Sequence, residues 1–207
     1  VEDLAKEFIN PEKEVHTVEE VIAGAKDIIA ENISDEADYR IWIRKITMQK
    51  GRVISAAKNE KAESVYEMYY DFEEPVGRLA GHRILALNRG EKEKFLTVKI
   101  EAPEEDIIRY LQKKTIHGEN PYTTPILKDV TEDSYKRLIA PAIEREIRSE
   151  LTERAEDGAI EVFKKNLEQL LMQPPIVGQT VLGWDPAFRT GCKLAVVDPT
   201  GKVIGTT

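Results

Sequence analysis

From Thr131 to Met172 apolar residues recur at spacings of three and four: Leu138, Ala142, Ile143, Ile147, Leu151, Ala155, Ala159, Val162, Phe163, Leu167, Leu170 and Leu171. That is the period of one helical face, sustained well beyond the length of an ordinary globular helix. The chain is therefore expected to fold around one long helix or two nearly collinear ones. Pro141 either kinks this helix or marks its true start, because proline has no N–H and its ring crowds the preceding turn. Gly158 weakens it by about 1 kcal/mol relative to alanine. Pro174-Pro175 ends it and serves as a domain boundary.

Upstream, Thr17-Val-Glu-Glu20 is a capping box, and the apolar spacing behind it predicts a helix over residues 18–32. Ser34 offers an N-cap for a second helix through Trp42 and Ile46, stopped at Lys50-Gly51. Arg52 to Ala57 reads as a strand, Ala62 to Asp71 as a helix broken by Pro75, and Leu79 to Leu87 as a helix stopped by Gly90. Lys94 to Glu101 alternates and predicts a strand. Pro103 stands at the first position of another helix, with Glu104, Glu105 and Asp106 beside the positive end of its dipole. Ile116 to Val130, with Gly118, Pro121 and Pro125, reads as a loop, and Leu4, Phe8 and Ile9 are expected to dock on a later part of the chain.

The stretch after Thr180 changes period. Val181 to Asp185 and Cys192 to Val197 read as strands, and Asp198-Pro199-Thr200-Gly201 suits a type I turn that closes a hairpin onto Lys202 to Thr206. Pro186 ends the first strand and Gly191 turns the chain into the second. The expected fold is mainly α with small β elements, a helical scaffold followed by a strand, a polar loop and a hairpin.

Charge narrows the function. A net charge of −8 on 207 residues excludes a chain whose whole surface is a nucleic-acid footprint, so any basic contact must be local. Between Ile41 and Asn59 stand Arg44, Lys45, Lys50, Arg52 and Lys58 without one acid. Either they are solvated faces of a helix and a strand, or they form a nucleic-acid patch. Cys192 is the only cysteine, which excludes an internal disulfide and a multi-cysteine metal site and fits a cytoplasmic setting. His16, His82 and His117 have no metal-ligand spacing, no phosphate loop or nucleophile elbow occurs, and no cofactor is implied. No apolar run approaches a membrane span. The start at Val1 and the stop in a hairpin strand suggest a piece of a longer protein.

Gly183-Trp-Asp185-Pro-Ala-Phe-Arg189-Thr-Gly191 before a Val/Ala-rich strand resembles the YqgF-type, ribonuclease-H-like domain of the bacterial Tex transcription accessory proteins. The family pattern is Gly-x-Asp-Pro-Gly-x-Arg-Thr-Gly, and Ala187 departs from it. Asp71-Phe-Glu-Glu-Pro75 with His82 to Gly90, and Glu156 to Phe163 with Asn166-Leu167, resemble the helical region of the same family. The resemblance implies a helical region over residues 1–175 and the first strands of an incomplete ribonuclease-H-like α/β domain over 176–207. It implies binding of RNA or DNA through the full-length protein, RNA polymerase or other transcription machinery as partner, and helix-hairpin-helix and OB-type domains downstream.

Asp185 then stands where ribonuclease-H-like nucleases place the first of several carboxylates around two metals about 4 Å apart, and one carboxylate cannot hold such a pair. On the residues alone it is an Asp-Pro turn residue; by resemblance it is a vestigial catalytic position in a protein without catalysis. Arg189 either contacts a phosphate or pairs with Asp185 or Asp198. The alternatives are a metal-dependent nuclease or resolvase whose remaining carboxylates lie further on, a protein–protein scaffold, and a sugar-kinase or actin-like ATPase strand-and-hairpin.

Overall fold

The capping box forms as the sequence dictates. Thr17 accepts from the Glu20 N–H at 3.2 Å while Glu20 accepts from the Thr17 N–H at 3.1 Å, and behind it runs α2, Val18–Asp35. The computed structural model describes residues 1–59, 61–174, 176–187 and 191–207, and the chain divides into two compact units, Val1–Ala159 and Ile160–Thr207.

In the first unit the short α1, Glu2–Ala5, precedes α2, and α3 spans Ala37–Lys50. A three-stranded antiparallel sheet follows in the order β2-β1-β3, with β1 at Arg52–Ala57, β2 at Asp71–Pro75 and β3 at Leu96–Glu101. Helices α4 (Gly81–Lys92), α5 (Glu104–Thr115) and α6 (Thr124–Asp133) lead through a π-helical turn, Ser134–Ile139, into α7, Ala140–Leu171, which belongs to this unit as far as Ala159. The core joins Leu96 and Val98 of β3 to Ile107 and Leu111 of α5 and to Ile139, Ile143, Ile147 and Leu151 along the long helix.

Several expectations are corrected. Ser34 does not cap α3: it is buried in the last turn of α2 and donates to the Glu31 carbonyl, while Glu36 stands at the cap position. The helix expected over Ala62 to Asp71 shrinks to a 3-10 turn, Glu67–Tyr69, because Asp71 to Pro75 pairs with β1 and the Ser55 hydroxyl holds the Tyr69 carbonyl at 2.9 Å. Pro75 closes β2 at the sheet edge, where a missing N–H costs no ladder bond. Gly90 does not end α4, which runs on to Lys92; a Cβ there would sit 2.6 Å from the buried Leu96 side chain, so glycine serves close packing. Pro103 is the N-cap of α5, one place ahead of the first helical residue.

The second half of the expected loop is α6, with Pro125 in its first turn, where the absent N–H would have had no intrahelical partner. Pro141 is the second residue of α7, so it stands at the start of the long helix as the sequence allows. The π-helical turn stands directly ahead of it, and widening the backbone there accommodates a residue that cannot bond back to the preceding turn. Leu4 and Phe8 do not dock; both are exposed, and Ala5 is the residue buried there.

Strand β3 would leave an open edge, but side chains occupy it. The Val98 N–H donates to Glu91 at 3.4 Å, the Ile100 N–H to Glu144 at 3.0 Å, and Arg148 donates to the Val98 carbonyl at 3.3 Å. Such covering removes a template for pairing with another chain.

Arg148 also forms an ion pair with Glu91, both side chains being about two-thirds buried. Burial pushes the Glu91 carboxyl up, but the Arg148 hydrogen bond and charge, with the Val98 N–H, outweigh it and leave it below its ordinary 4.5. A depressed carboxyl contributes stability that is present above its unfolded value and lost as pH falls through the folded one. Arg148→Met should therefore cost about 1–2 kcal/mol at pH 7, after discounting for exposure. The variant's loss should shrink below pH 4.5. Urea midpoints measured across that range check it; a loss independent of pH would show that packing, not the ion pair, was removed.

In the second unit β4 (Val181–Asp185), β5 (Lys193–Val197) and β6 (Val203–Thr206) form an antiparallel meander in chain order. This is the expected strand and hairpin, with Cys192 exposed just ahead of β5. Among the described residues no helix is long and apolar enough to cross a membrane.

Candidate nucleic-acid interface and the Asp185 strand

Asp185 closes β4 and is exposed. Antiparallel register sets it directly opposite Lys193 of β5, so the two opposite charges share one face of the sheet. Asp198 begins the β5–β6 turn: one carboxylate oxygen accepts from the Thr200 N–H at 2.8 Å, the Thr200 hydroxyl at 2.7 Å and the Lys202 N–H at 3.0 Å. Those bonds, the Thr200 hydroxyl first, hold its carboxyl below the ordinary value. Asp185 and Asp198 thus stand at opposite ends of β5, about 17 Å apart at the usual rise per strand residue. Asp198 is a turn residue, as its place in the sequence indicated. Arg189 and Thr190 lie outside the described residues.

The five cations between Ile41 and Asn59 are dispersed. Arg44 leaves α3 to pair with Glu150 of α7, and Arg52 pairs with Glu73 across the sheet. Lys58 follows the other end of β1, about 20 Å from Arg52 at the same rise per residue. Lys50, at the end of α3, bonds Asp106 of α5 at 2.9 Å. Lys45 is exposed on α3. Of the five, Lys50 lines the groove described next.

That groove runs between α3 and α5. Trp42 and Tyr110 stack across it with ring centroids 3.8 Å apart and planes inclined by 11°, and Tyr39 meets Tyr110 edge-on at 6.0 Å. Burial raises the Tyr110 hydroxyl above its ordinary value, helped by Tyr39 and by the charge of Asp38. The space beside the stacked pair is about 300 Å³, floored by Trp42, Ile46 and Tyr110. Lys50, Arg109 and Lys113 rim it with Asp106, and the Lys114 ammonium lies 5.9 Å from the Tyr110 ring centre. Asp106 is held below its ordinary value by the Lys50 hydrogen bond and charge, with Arg109 adding to it from 3.8 Å.

Arg109, Lys113 and Lys114 are separated by Tyr110, Leu111 and Gln112, so no continuous run of cations marks them in the sequence. The available signal was periodic: Tyr110 and Lys114 are four apart on one helix, and Trp42, Ile46 and Lys50 are spaced by four on another.

Comparison with known proteins places the whole arrangement. Residues 1–163 match the Tex central region-like family model and residues 179–207 match the Tex protein YqgF-like domain. The chain is 56% identical over 203 residues to the uncharacterized protein YdcI of Bacillus subtilis, covering 97% of this chain and 28% of that one. It is 34% identical to the protein tex of Bordetella pertussis, covering 98% of this chain and 28% of that one. It is 32% identical to the human S1 RNA-binding domain-containing protein 1, covering 96% of this chain and 22% of that one. The chain therefore spans about a quarter of the length of these relatives. With both family models matched in order along one chain, and the strand and hairpin of the second in place, the chain belongs to the Tex family.

Proposed function

We propose that this chain is the central helical region and the opening of the YqgF-like domain of a transcription accessory protein that associates with nucleic acid and acts without catalysis. The observation that carries the reading is the pair of family matches, over 1–163 and 179–207, in the order found in proteins named for transcription and for RNA binding. The relatives' names supply RNA as the first nucleic acid to test. RNA polymerase or another part of the transcription machinery is the expected protein partner, met in the cytoplasm.

Two features support a role without catalysis. Asp185 faces a cation across the strand pair, and Asp198 is engaged by its own turn.

The test uses the chain extended to the length of its relatives, incubated with labelled single-stranded RNA, duplex DNA and a four-way junction in Mg²⁺ or Mn²⁺. Retarded but intact nucleic acid is the expected result. Cleavage that is lost in Asp185→Asn would replace this reading with a nuclease, and failure to bind any of the three would replace it with a protein–protein scaffold.

A further inference from the structure

Among the described residues about half of the lysines and arginines of the first unit meet a carboxylate. Arg40 pairs with Glu146, Arg83 with Glu74, and Arg137 with Asp27 and Asp133, at distances between 2.5 and 2.8 Å. The last turns of α5 gather several of the others beside one groove. Among the described residues no carboxylate lies within ion-pair distance of Lys113 or Lys114, and Arg109, 76% exposed, reaches only Asp106 at 3.8 Å. Around the groove Lys50, Arg109, Lys113 and Lys114 face the one carboxylate of Asp106, with Asp38 further along α3. A surplus of positive charge here, on a chain of net charge −8, runs against the overall field.

Lysines near a helix C-terminus also offset the helix dipole, which explains two ammonium groups at the end of α5. It explains neither Arg109 nor the stacked rings that floor the groove beside them. Half-buried aromatic surface ringed by cations suits a ligand with alternating π faces and negative charges. A single strand of nucleic acid is such a ligand, whereas a duplex keeps its bases stacked inside and an acidic peptide gives the rings nothing to do.

We propose that the α3–α5 groove binds single-stranded nucleic acid, one base entering against Trp42 and Tyr110 while Lys50, Arg109, Lys113 and Lys114 hold the flanking phosphates. This rests on the reading of the chain as part of a nucleic-acid-associated protein, and it locates a contact within the helical region itself.

Fluorescence anisotropy with a labelled uridine oligomer, titrated over a range of salt, tests it. Log affinity should fall with log salt at a slope of about −0.7 per phosphate contacted. The Lys113→Glu/Lys114→Glu double variant should bind at least tenfold more weakly, with a slope shallower by about 1.4. Tyr110→Leu should lose roughly tenfold in affinity and keep the slope, because stacking releases no counterions. Lys164→Glu/Lys165→Glu, the same charge change on exposed residues of α7, should leave both readouts in place.

The lysine pair of α5 is at the surface, so its reversal preserves the fold even if Tyr110→Leu does not. Equal weakening by the two double variants would reduce the effect to net charge and overturn the site. Binding of polyglutamate in preference to the oligomer would overturn it in favour of an acidic protein partner. If this chain does not bind but the extended protein does, the groove is excluded and the proposed function stands; if neither binds, both fail.

Discussion

Ile147→Ala should destabilise the first unit by about 3 kcal/mol, the middle of the range for deleting most of a buried branched side chain. Ile147 is fully buried, 0% exposed, between Ile143 and Leu151 on the face of α7 that meets the core. Its removal forfeits the transfer free energy of three carbons and leaves a cavity that neighbours fixed on several other elements cannot collapse to fill. A control sits on the same helix. Ile160 is 61% exposed, and Ile160→Ala should move stability by no more than about 0.5 kcal/mol. Urea unfolding followed by circular dichroism distinguishes them: the midpoint should fall for Ile147→Ala at unchanged slope and stay for Ile160→Ala. Equal responses would mean that helix propensity, and not burial, sets the stability of α7.

Gly51→Ala should cost about 2–3 kcal/mol, as overpacking does where the neighbour cannot move. Gly51 joins α3 to β1, donating to the Thr47 carbonyl at 2.8 Å and accepting from the Val76 N–H at 3.0 Å. A Cβ there would lie 2.4 Å from the Thr47 carbonyl oxygen and 3.2 Å from that of Glu101. Both are backbone atoms of a helix and a strand, so relief requires α3 to shift against the sheet. The backbone of Gly51 is in the ordinary extended region, and the demand is for space and not for a left-handed turn. Thermal unfolding of Gly51→Ala beside Gly24→Ala, whose added Cβ meets nothing within 4 Å, checks the distinction. Gly24→Ala should gain up to about 1 kcal/mol from helix propensity; a loss at both positions would defeat the argument.

Local signals in the sequence were strong where the chain itself satisfies them. The Thr17–Glu20 box and the Asp198 turn place their side chains on backbone groups within a few residues, so residue identity and spacing suffice. The long periodic stretch was equally legible. The failures share a cause in partners distant along the chain. Asp71 to Pro75 becomes a strand only because β1 presents an edge to it, and nothing within the segment announces that edge. Leu167, Leu170 and Leu171 continue the helical pattern and yet are exposed, since periodicity shows which side of a helix is apolar and not what lies against it. The basic run does not gather on one surface for the same reason: Arg44 and Arg52 meet carboxylates elsewhere in the chain. The groove between α3 and α5 draws its cations from both helices, which no single stretch of sequence displays.

The π-helical turn ahead of Pro141 sets the angular phase of everything beyond it. Thr131, Tyr135, Ile139, Ile143, Ile147, Leu151 and Ala155 are all buried at a strict spacing of four. On a straight α-helix each such step advances by about 40°, so the series would travel about 240° around the axis. One residue inserted by a π turn takes back about 100° of that. Along that sweep the partners change: Ser134 bonds the Ala30 carbonyl of α2, Arg148 reaches β3 and α4, and Ala155 meets Gly81 at the start of α4. The rest of the unit is thus wound about this helix like a thread on a screw, and the π turn fixes where the thread begins.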